Sequence, residues 1–289
     1  KAYGAYHKKF AETVKFINDK TLAVEQGNAG FHPERTKMLI DQGYFDNIDV
    51  INGHFYCGTN PPELNRSNYN TNQGIPIPPR SLFDGLRSYK DVASSDGKKR
   101  QAWITEFGWD TLAGHIVSEK EQASCLQRGF MLGLMAGIDK MFWFFDMDTK
   151  GKPKNFFDGC GIMDPNFEPK PVAASMAALV HFLKLPKPVG TFELGDNTFG
   201  YLFSDREKLV GSVFKLDPAK QDIPIEISEG KLYDYFANPI SEKKVVLTSS
   251  PVWLLDLKPD GNVYKQSAFD LASNYYSSIS AGDEVPILL

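Results

Sequence analysis

Glu106 is the residue of this sequence whose type and position most strongly suggest chemistry. It follows a short, mainly apolar run, residues 102–105, and precedes Phe107, Gly108 and Trp109. At the carboxyl end of a strand in a parallel sheet, such a carboxylate would face a cleft mouth walled by aromatic rings. An ionised carboxylate there can attack the anomeric carbon of a sugar and form a covalent glycosyl ester. The alternative is a strand-end glutamate in a surface salt bridge, because charged side chains mostly lie at surfaces.

Three polar side chains alternate along an earlier apolar segment. Asn52, His54 and Tyr56 are spaced by two residues, which puts them on one face of a strand. The imidazole and phenol groups could hydrogen-bond a carboxylate or a sugar hydroxyl. A lone histidine is more often a satisfied core residue, but three polar residues on one face favour a binding site.

A ring-rich segment, residues 142–145, is followed by Asp146 and Asp148. Aromatic faces stack on the C–H faces of sugars and carboxylates bind sugar hydroxyls, so Trp143 and Asp146 are predicted substrate-binding residues. Trp143 could equally pack in the core. The two aspartates also suggest oxygen ligands for a cation, although the rest of a calcium loop is missing.

The elements that must position these residues alternate between helix and strand. Short apolar strands are predicted at residues 21–25, 49–56, 102–107 and 141–145, with amphipathic helices before, between and after them. Ser118 and Glu121 form a predicted capping box at one helix start. This alternation indicates an α/β fold with a parallel sheet, either a barrel or an open doubly wound sheet. The absence of a Gly-rich phosphate turn favours the barrel.

The pattern changes near residue 186. Beyond it come six short alternating runs separated by turn residues, which predict a small antiparallel β-sandwich domain. The predicted organisation is a barrel portion at 1–186, a β-domain at 187–258 and a tail at 259–289 that the sequence does not place.

The composition is that of an ordinary globular protein of 289 residues. There are 32 Lys and Arg against 36 Asp and Glu, a net charge of −4, so neither nucleic acid nor a membrane surface is a predicted partner. The sequence has three cysteines, too few for a disulfide framework. It contains no run of about 18 apolar residues that would predict a membrane span.

Several segments resemble glycoside hydrolases of clan A, the retaining (β/α)8-barrel glycosidases that include cellulases, mannanases and β-xylosidases. The resemblance is carried by Gly-His-Phe-Tyr at 53–56, Ile-Thr-Glu-Phe-Gly-Trp at 104–109, and the stretches 160–171, 232–240 and 246–252. It covers residues 1–257. It implies a fold made of the C-terminal part of a barrel and the β-domain that often follows such barrels.

The resemblance also implies roles for individual residues. Glu106 would be the nucleophile at the end of barrel strand seven. His54 and Tyr56, on strand six, would orient Glu106 and contact the sugar, and Trp143, on strand eight, would form the stacking floor. Outer subsites would be lined by Trp109 and by the loop 60–73, which contains Asn65, Arg66, Asn68 and Tyr69.

One motif of the clan is absent. Its general acid/base is a Glu that usually follows an Asn at the end of strand four, and no Asn-Glu dipeptide occurs in this sequence. Counting back from strand seven, residues 21–25 are strand five and the opening helix is helix four. Glu25 ends strand five, but its Val-Glu-Gln-Gly setting does not match the clan motif and it is not assigned a role.

A half barrel would expose strand edges and an apolar interior to water. We therefore expect this chain to be the C-terminal portion of a longer protein, or one piece of a nicked or split one. Its expected partners are the N-terminal half of the barrel and a carbohydrate substrate.

The sequence thus predicts a retaining glycoside hydrolase that cleaves β-glycosidic bonds of a poly- or oligosaccharide, without a metal or organic cofactor. One alternative is a non-catalytic carbohydrate-binding protein on the same scaffold, suggested by the missing acid. An unrelated hydrolase is disfavoured because no G-x-S-x-G motif and no metal-ligand spacing of His and Cys occurs. A polymeric substrate would imply an extracellular or periplasmic location, which nothing in the sequence itself shows.

Overall fold

The computed structural model describes residues 2–64, 81–113, 116–153, 155, 157–191, 198–205, 208–216, 225–226, 230–257 and 267–268. Its helices are α1 (Ala2–Ile17), α2 (Pro33–Asp41), α3 (Leu82–Ala93), α4 (Glu119–Met135) and α5 (Pro171–Phe182). The strands of its first part are β1 (Asn28–Ala29), β2 (Val50–Tyr56), β3 (Gln101–Gly108) and β4 (Lys140–Trp143).

These four strands form one parallel sheet in the order β1-β2-β3-β4, which is also their order along the chain. Successive parallel strands need a crossover connection, and helices α2, α3 and α4 lie in those crossovers. Ile51, Leu86, Ile104 and Leu126 are completely buried in the core that the strands and helices share. The predicted α/β class is confirmed. Among the described residues, β1 and β4 are the edges of this sheet, so the four strands do not by themselves show a barrel.

The predicted strand at residues 21–25 is wrong. Only Val24 pairs with Val50, in a single bridge, and the two-residue β1 follows at Asn28–Ala29. The reason is the Glu25 side chain, whose Oε2 accepts the backbone N–H of Asn52 at 3.3 Å. The Glu25 carboxylate therefore accepts the Asn52 N–H, which would donate to a backbone carbonyl if the strand pairing continued.

Strand β3 contains a bulge at its carboxyl end. Gly53 pairs with Ile104 but His54 pairs with Glu106, so Thr105 is an extra residue relative to β2. The register against β4 shifts over the same stretch. A bulge re-aims the side chains at and after it, which matters for the site described below.

Side-chain caps begin two of the helices. The Ser118 hydroxyl accepts the backbone N–H of Glu121 at 3.1 Å, as predicted for α4. A complete capping box, formed by Ser81 and Asp84, begins α3 and was not predicted. None of the five helices in the described ranges is long and apolar enough to cross a membrane.

The second part of the chain is antiparallel, as predicted. Its strands are β5 (Pro186–Thr191), β6 (Thr198–Asp205), β7 (Lys208–Lys215), β8 (Ile225–Glu226), β9 (Lys231–Tyr233), β10 (Pro239–Ile240), β11 (Lys244–Val245), β12 (Val252–Leu257) and β13 (Ser267–Ala268). Seven of them form one sheet in the order β10-β9-β12-β7-β6-β5-β13, and β11 pairs with β8 separately. A part of the tail thus adds a short strand to the β5 edge.

Helix α4 joins the two parts. The Gln127 amide donates to the backbone carbonyls of Ser175 and Tyr235 and accepts the indole N–H of Trp253 at 3.0 Å. Arg128 forms a fully buried ion pair with Glu63, which lies in the segment after β2. The end of β2 is therefore held against α4.

Candidate active site

The Glu106 carboxylate lies next to two side chains of β2. The Tyr56 hydroxyl donates to Glu106 Oε2 at 3.0 Å, and His54 Nδ1 lies 3.4 Å from the same oxygen. The Glu106 side chain is 30% exposed. Among the described residues, none donates a hydrogen bond to Oε1. One carboxylate oxygen is therefore held by two groups while the other is open.

The bulge in β3 explains how Glu106 reaches this position. In a regular strand, Thr105 and Glu106 would point to opposite faces of the sheet. Here Thr105 contacts Asn52 and His54, and Glu106 contacts His54 and Tyr56, so both side chains lie on one face. Phe107 then points to the opposite face, where it packs against Phe130 of α4.

His54 fits its place because residue 27 is a glycine. A Cβ at Gly27 would lie 2.0 Å from His54 Nε2, so any other residue would collide with the imidazole. Burial lowers the pKa of His54, and the neighbouring Glu106 charge raises it in part. His54 Nε2 lies 2.9 Å from the Thr105 hydroxyl oxygen.

Asn52 joins this cluster to a second, buried carboxyl group. Its Oδ1 lies 3.0 Å from Thr105 Oγ1, and its amide nitrogen donates to the Glu25 carbonyl at 3.3 Å. The Glu25 carboxyl accepts from Asn28 Nδ2 at 3.0 Å and is 1% exposed. Burial raises the pKa of Glu25 to about 8, against hydrogen bonds that lower it.

The sequence did not assign Thr105 or Glu25. Thr105 stands beside the proposed nucleophile, but the bulge that turns it toward His54 is a property of strand pairing. Glu25 stands in the sequence as a strand-end carboxylate that lacks the clan motif, and in the structure it is buried.

Two phenylalanine rings lie next to Tyr56. The Tyr56 ring lies 4.8 Å from Phe157 and 6.3 Å from Phe144, measured between centroids. Phe144 and Phe157 contact each other edge to face at 5.7 Å. The ring-rich run at 142–145 signalled Phe144, whereas nothing in the sequence singled out Phe157.

The structure does not bring Trp109 or Trp143 to the Glu106 carboxylate. Trp109 is 2% exposed and its indole donates to the Asn60 carbonyl. Trp143 stacks on Trp109 at 6.1 Å, contacts Phe107 and donates to the Cys160 carbonyl. Because Phe107 points toward α4, both indoles lie on the helix side of the sheet. Trp143 therefore packs in the core, which was the alternative to its predicted role in substrate binding. Trp109 is buried, which does not fit its predicted place in an outer subsite.

Asp146 and Asp148 have different surroundings. Asp146 is exposed and its Oδ1 accepts the backbone N–H of Met147. Asp148 is buried and pairs with the Lys170 ammonium at 2.9 Å, which occupies the place that a bound cation would take. Lys170 also donates to the Gly159 carbonyl, so this pair holds the loop that carries Phe157.

Two further observations concern binding groups. In the part of the chain that the structure describes, no three His, Cys, Asp or Glu side chains gather to hold a metal ion. The predicted outer-subsite residues Asn65, Arg66, Asn68 and Tyr69 lie outside the described residues.

Comparison with known proteins gives similarity at the level of structure. No protein-family model matches the chain, and no curated protein gives a significant match. A family 39 glycoside hydrolase from the gut symbiont Bacteroides cellulosilyticus aligns with a TM-score of 0.73 and 20% identity over 88% of this chain and 55% of that one. A family 30 subfamily 8 xylanase from Clostridium acetobutylicum aligns with a TM-score of 0.55 and 12% identity over 88% and 60%. A family 39 β-xylosidase from Caulobacter crescentus gives 0.52 and 13% over 88% and 61%.

These likenesses concern the fold, because all three identities are low. This chain spans between 55% and 61% of the length of these three structures. The predicted resemblance to glycoside hydrolases of clan A is confirmed at the level of fold: the chain has the architecture of just over half of such enzymes.

Proposed function

We propose that this chain carries the nucleophile part of a retaining glycoside hydrolase site, with Glu106 Oε1 as the attacking atom. The observation that carries the proposal is the asymmetry of the Glu106 carboxylate. Tyr56 and His54 both lie against Oε2, whereas no described residue donates a hydrogen bond to Oε1. No Lys or Arg of the described residues contacts Glu106, so a permanently charged side chain does not neutralise its carboxylate.

The proposed reaction has two steps. Oε1 forms a bond to the anomeric carbon while the bond to the leaving oxygen breaks, and a second carboxylic acid gives that oxygen its proton. Water then attacks the anomeric carbon, passes a proton to the same acid/base group and releases Glu106 as a carboxylate. In this second step, the Tyr56 hydroxyl stabilises the negative charge that returns to Oε2.

The acid/base group belongs, in this proposal, to barrel strands outside the residues that the structure describes. The sheet is open at β1 and β4, and apolar side chains near these edges are exposed. Phe142 on β4 is 45% exposed, and Tyr6 and Phe16 on α1 are 61% and 92% exposed. These aromatic side chains are ones that the proposed covering partner would bury. We propose the N-terminal half of the barrel as that partner, which intact mass and N-terminal sequencing of the native protein would test.

The proposed substrate is a poly- or oligosaccharide with β-glycosidic bonds. Phe144 and Phe157, which lie around Tyr56, offer ring faces for the sugar at the point of cleavage. Since a β-xylosidase and a xylanase share the fold, xylo-oligosaccharides are the first substrates to test, within a wider panel of β-linked sugars.

The test is to trap the glycosyl ester. The full gene product is incubated with aryl 2-deoxy-2-fluoro-β-glycosides, whose ester intermediates hydrolyse slowly, and the modified peptide is identified by mass spectrometry. We expect an adduct on Glu106. An adduct on another carboxylate would refute the assignment, as would normal turnover by Glu106→Gln.

A second candidate function rests on the missing acid motif. A protein that kept the ring-lined cleft without an acid/base group would bind β-linked sugars and not cleave them. Calorimetric binding by the full gene product, without release of reducing sugar or of an aryl leaving group, would favour this candidate.

A further inference from the structure

The amide of Asn52 has only one orientation compatible with its contacts. The backbone N–H of Thr105, which can only donate, lies 3.3 Å from Asn52 Oδ1. The Glu25 carbonyl, which can only accept, lies 3.3 Å from Asn52 Nδ2. Oδ1 therefore faces Thr105 as an acceptor, and a flipped amide would lose both contacts.

The Thr105 hydroxyl proton follows from this orientation. Thr105 Oγ1 lies 3.0 Å from Asn52 Oδ1, and an amide oxygen carries no proton, so the hydroxyl donates to it. Its single proton is then used. Toward His54 Nε2, 2.9 Å away, Thr105 Oγ1 acts as an acceptor, which places a proton on Nε2.

The other imidazole nitrogen faces the Glu106 carboxylate at 3.4 Å. If only Nε2 carried a proton, the Nδ1 lone pair would face a carboxylate oxygen. A proton on each nitrogen removes this repulsion and gives the imidazole two acceptors, Thr105 on one side and Glu106 on the other.

We propose that Thr105 and Asn52 are positioning residues that hold an acceptor at His54 Nε2, which keeps a proton on Nε2 and favours the doubly protonated imidazole that donates from Nδ1 to Glu106 Oε2. The functional part of this proposal rests on the proposed role of Glu106. With His54 and Tyr56 both donating to Oε2, the oxygen that attacks is set as Oε1.

The surroundings of His54 limit the groups that influence its proton. Glu106 is the charged group that faces the imidazole among the described residues, and Tyr56 is the neighbouring titratable group on β2. The third side is closed by the Gly27 backbone. Burial lowers the pKa of His54 despite the Glu106 charge, and an acceptor at Nε2 favours the protonated imidazole against that burial.

The test uses two matched pairs of residues at position 105. The native protein and Thr105→Val form the first pair, in which a methyl group replaces the hydroxyl. Thr105→Ser and Thr105→Ala form the second pair, in which a hydrogen atom replaces the hydroxyl. Thr13→Val, which removes an exposed hydroxyl on α1, is the control. Thermal unfolding of each variant of the full gene product identifies those that fold.

The direct measurement is the nitrogen-15 spectrum of His54 near pH 7. We expect a protonated Nε2 in the native protein, in Thr105→Ser and in Thr13→Val. In Thr105→Val and Thr105→Ala, we expect Nε2 to lose its proton while Nδ1 keeps its own. An unprotonated Nε2 in the native protein, or a protonated Nε2 in every variant, would overturn the proposal. If Thr105→Val does not fold, the comparison of Thr105→Ser with Thr105→Ala tests the proposal.

Kinetics supply the second readout. Because the substrate does not touch Thr105 in this scheme, Thr105→Val should lower kcat about 10- to 100-fold with little change in KM, and Thr105→Ser should recover most of it. Equal losses in Val and Ser would refute the positioning role. The spectrum does not depend on turnover, so a failure of the glycosidase assignment is recognised separately, by normal activity of Glu106→Gln.

Discussion

Glu106 and Glu25 are two carboxyl groups at the ends of neighbouring segments of one sheet, yet they differ in almost every physical respect. Glu106 is 30% exposed, with one oxygen held by Tyr56 and His54 and the other open. Glu25 is 1% exposed, and its pKa is raised to about 8 by burial. Asn52 lies between them and contacts the segments that carry both.

The difference shows that burial and donor placement, rather than residue type, decide what a carboxyl group does here. An exposed carboxylate with one free oxygen is suited to attack a substrate. A buried carboxyl group that is largely neutral near pH 7 cannot reach a substrate, and instead replaces a backbone acceptor beside β2.

The largest expected effect distinguishes the two residues by activity. Glu106→Gln should lower kcat of the full gene product by about 10⁴-fold or more, because the amide cannot attack. Glu25→Gln should keep kcat within about 10-fold. Initial rates on an aryl β-glycoside measure both, and a larger loss in Glu25→Gln than in Glu106→Gln would reverse the assignment.

The second prediction concerns stability as a function of pH. The unfolded chain releases the Glu25 proton near the ordinary value of 4.5, whereas the folded chain holds it to about 8. Stability is therefore fully present below pH 4.5 and falls as the pH rises to 8, by at most about 3–5 kcal/mol. Glu25→Gln should flatten this part of the profile.

Denaturant unfolding between pH 5 and 9 measures that slope. Glu106→Gln is the matched control, since it makes the same chemical change at the exposed carboxylate. An unchanged slope in Glu25→Gln would show that another group is responsible.

A third prediction tests the donor on Oε2. Tyr56→Phe removes the hydroxyl that donates at 3.0 Å and should lower kcat about 10²-fold, as expected for one preorganised donor. Tyr3→Phe is the control at the Glu25 end, where the Tyr3 hydroxyl contacts Gln26 and Asn28. The kcat of Tyr3→Phe should stay close to that of the native protein. Equal losses of kcat in the two variants would show that activity does not depend specifically on the Tyr56 hydroxyl.

The smallest expected effect concerns the rings. Phe144→Ala should raise KM about 3- to 10-fold, because Phe144 lies beside Tyr56 and is a ring on which the proposed sugar substrate would stack. Trp143→Phe should leave KM unchanged and lower the free energy of unfolding by about 1–2 kcal/mol, since that indole packs on the helix side. Kinetics and denaturant unfolding of both variants measure the contrast, and a raised KM in Trp143→Phe alone would contradict the ring placement.

Much of the architecture was predictable because it depends on local patterns. Alternating apolar strands and amphipathic helices predicted the α/β class and the parallel strands, and the change of pattern near residue 186 predicted the antiparallel part. The strand at 21–25 failed because the Glu25 side chain takes the backbone donor of Asn52, and this competition depends on burial.

Strand periodicity alone determined that Asn52, His54 and Tyr56 share a face, and the apolar run before Glu106 determined that this carboxylate ends a strand. Only the tertiary structure decided that Glu106 turns to that same face, because the bulge at Thr105 reverses the alternation on which sequence reasoning depends. The same reversal sends Phe107 to the helix side, where it contacts Trp143, while Phe157 lies next to Tyr56. One extra residue in a strand pairing thus decides which rings and which carboxylate meet, and strand pairing is a property of two segments rather than of one.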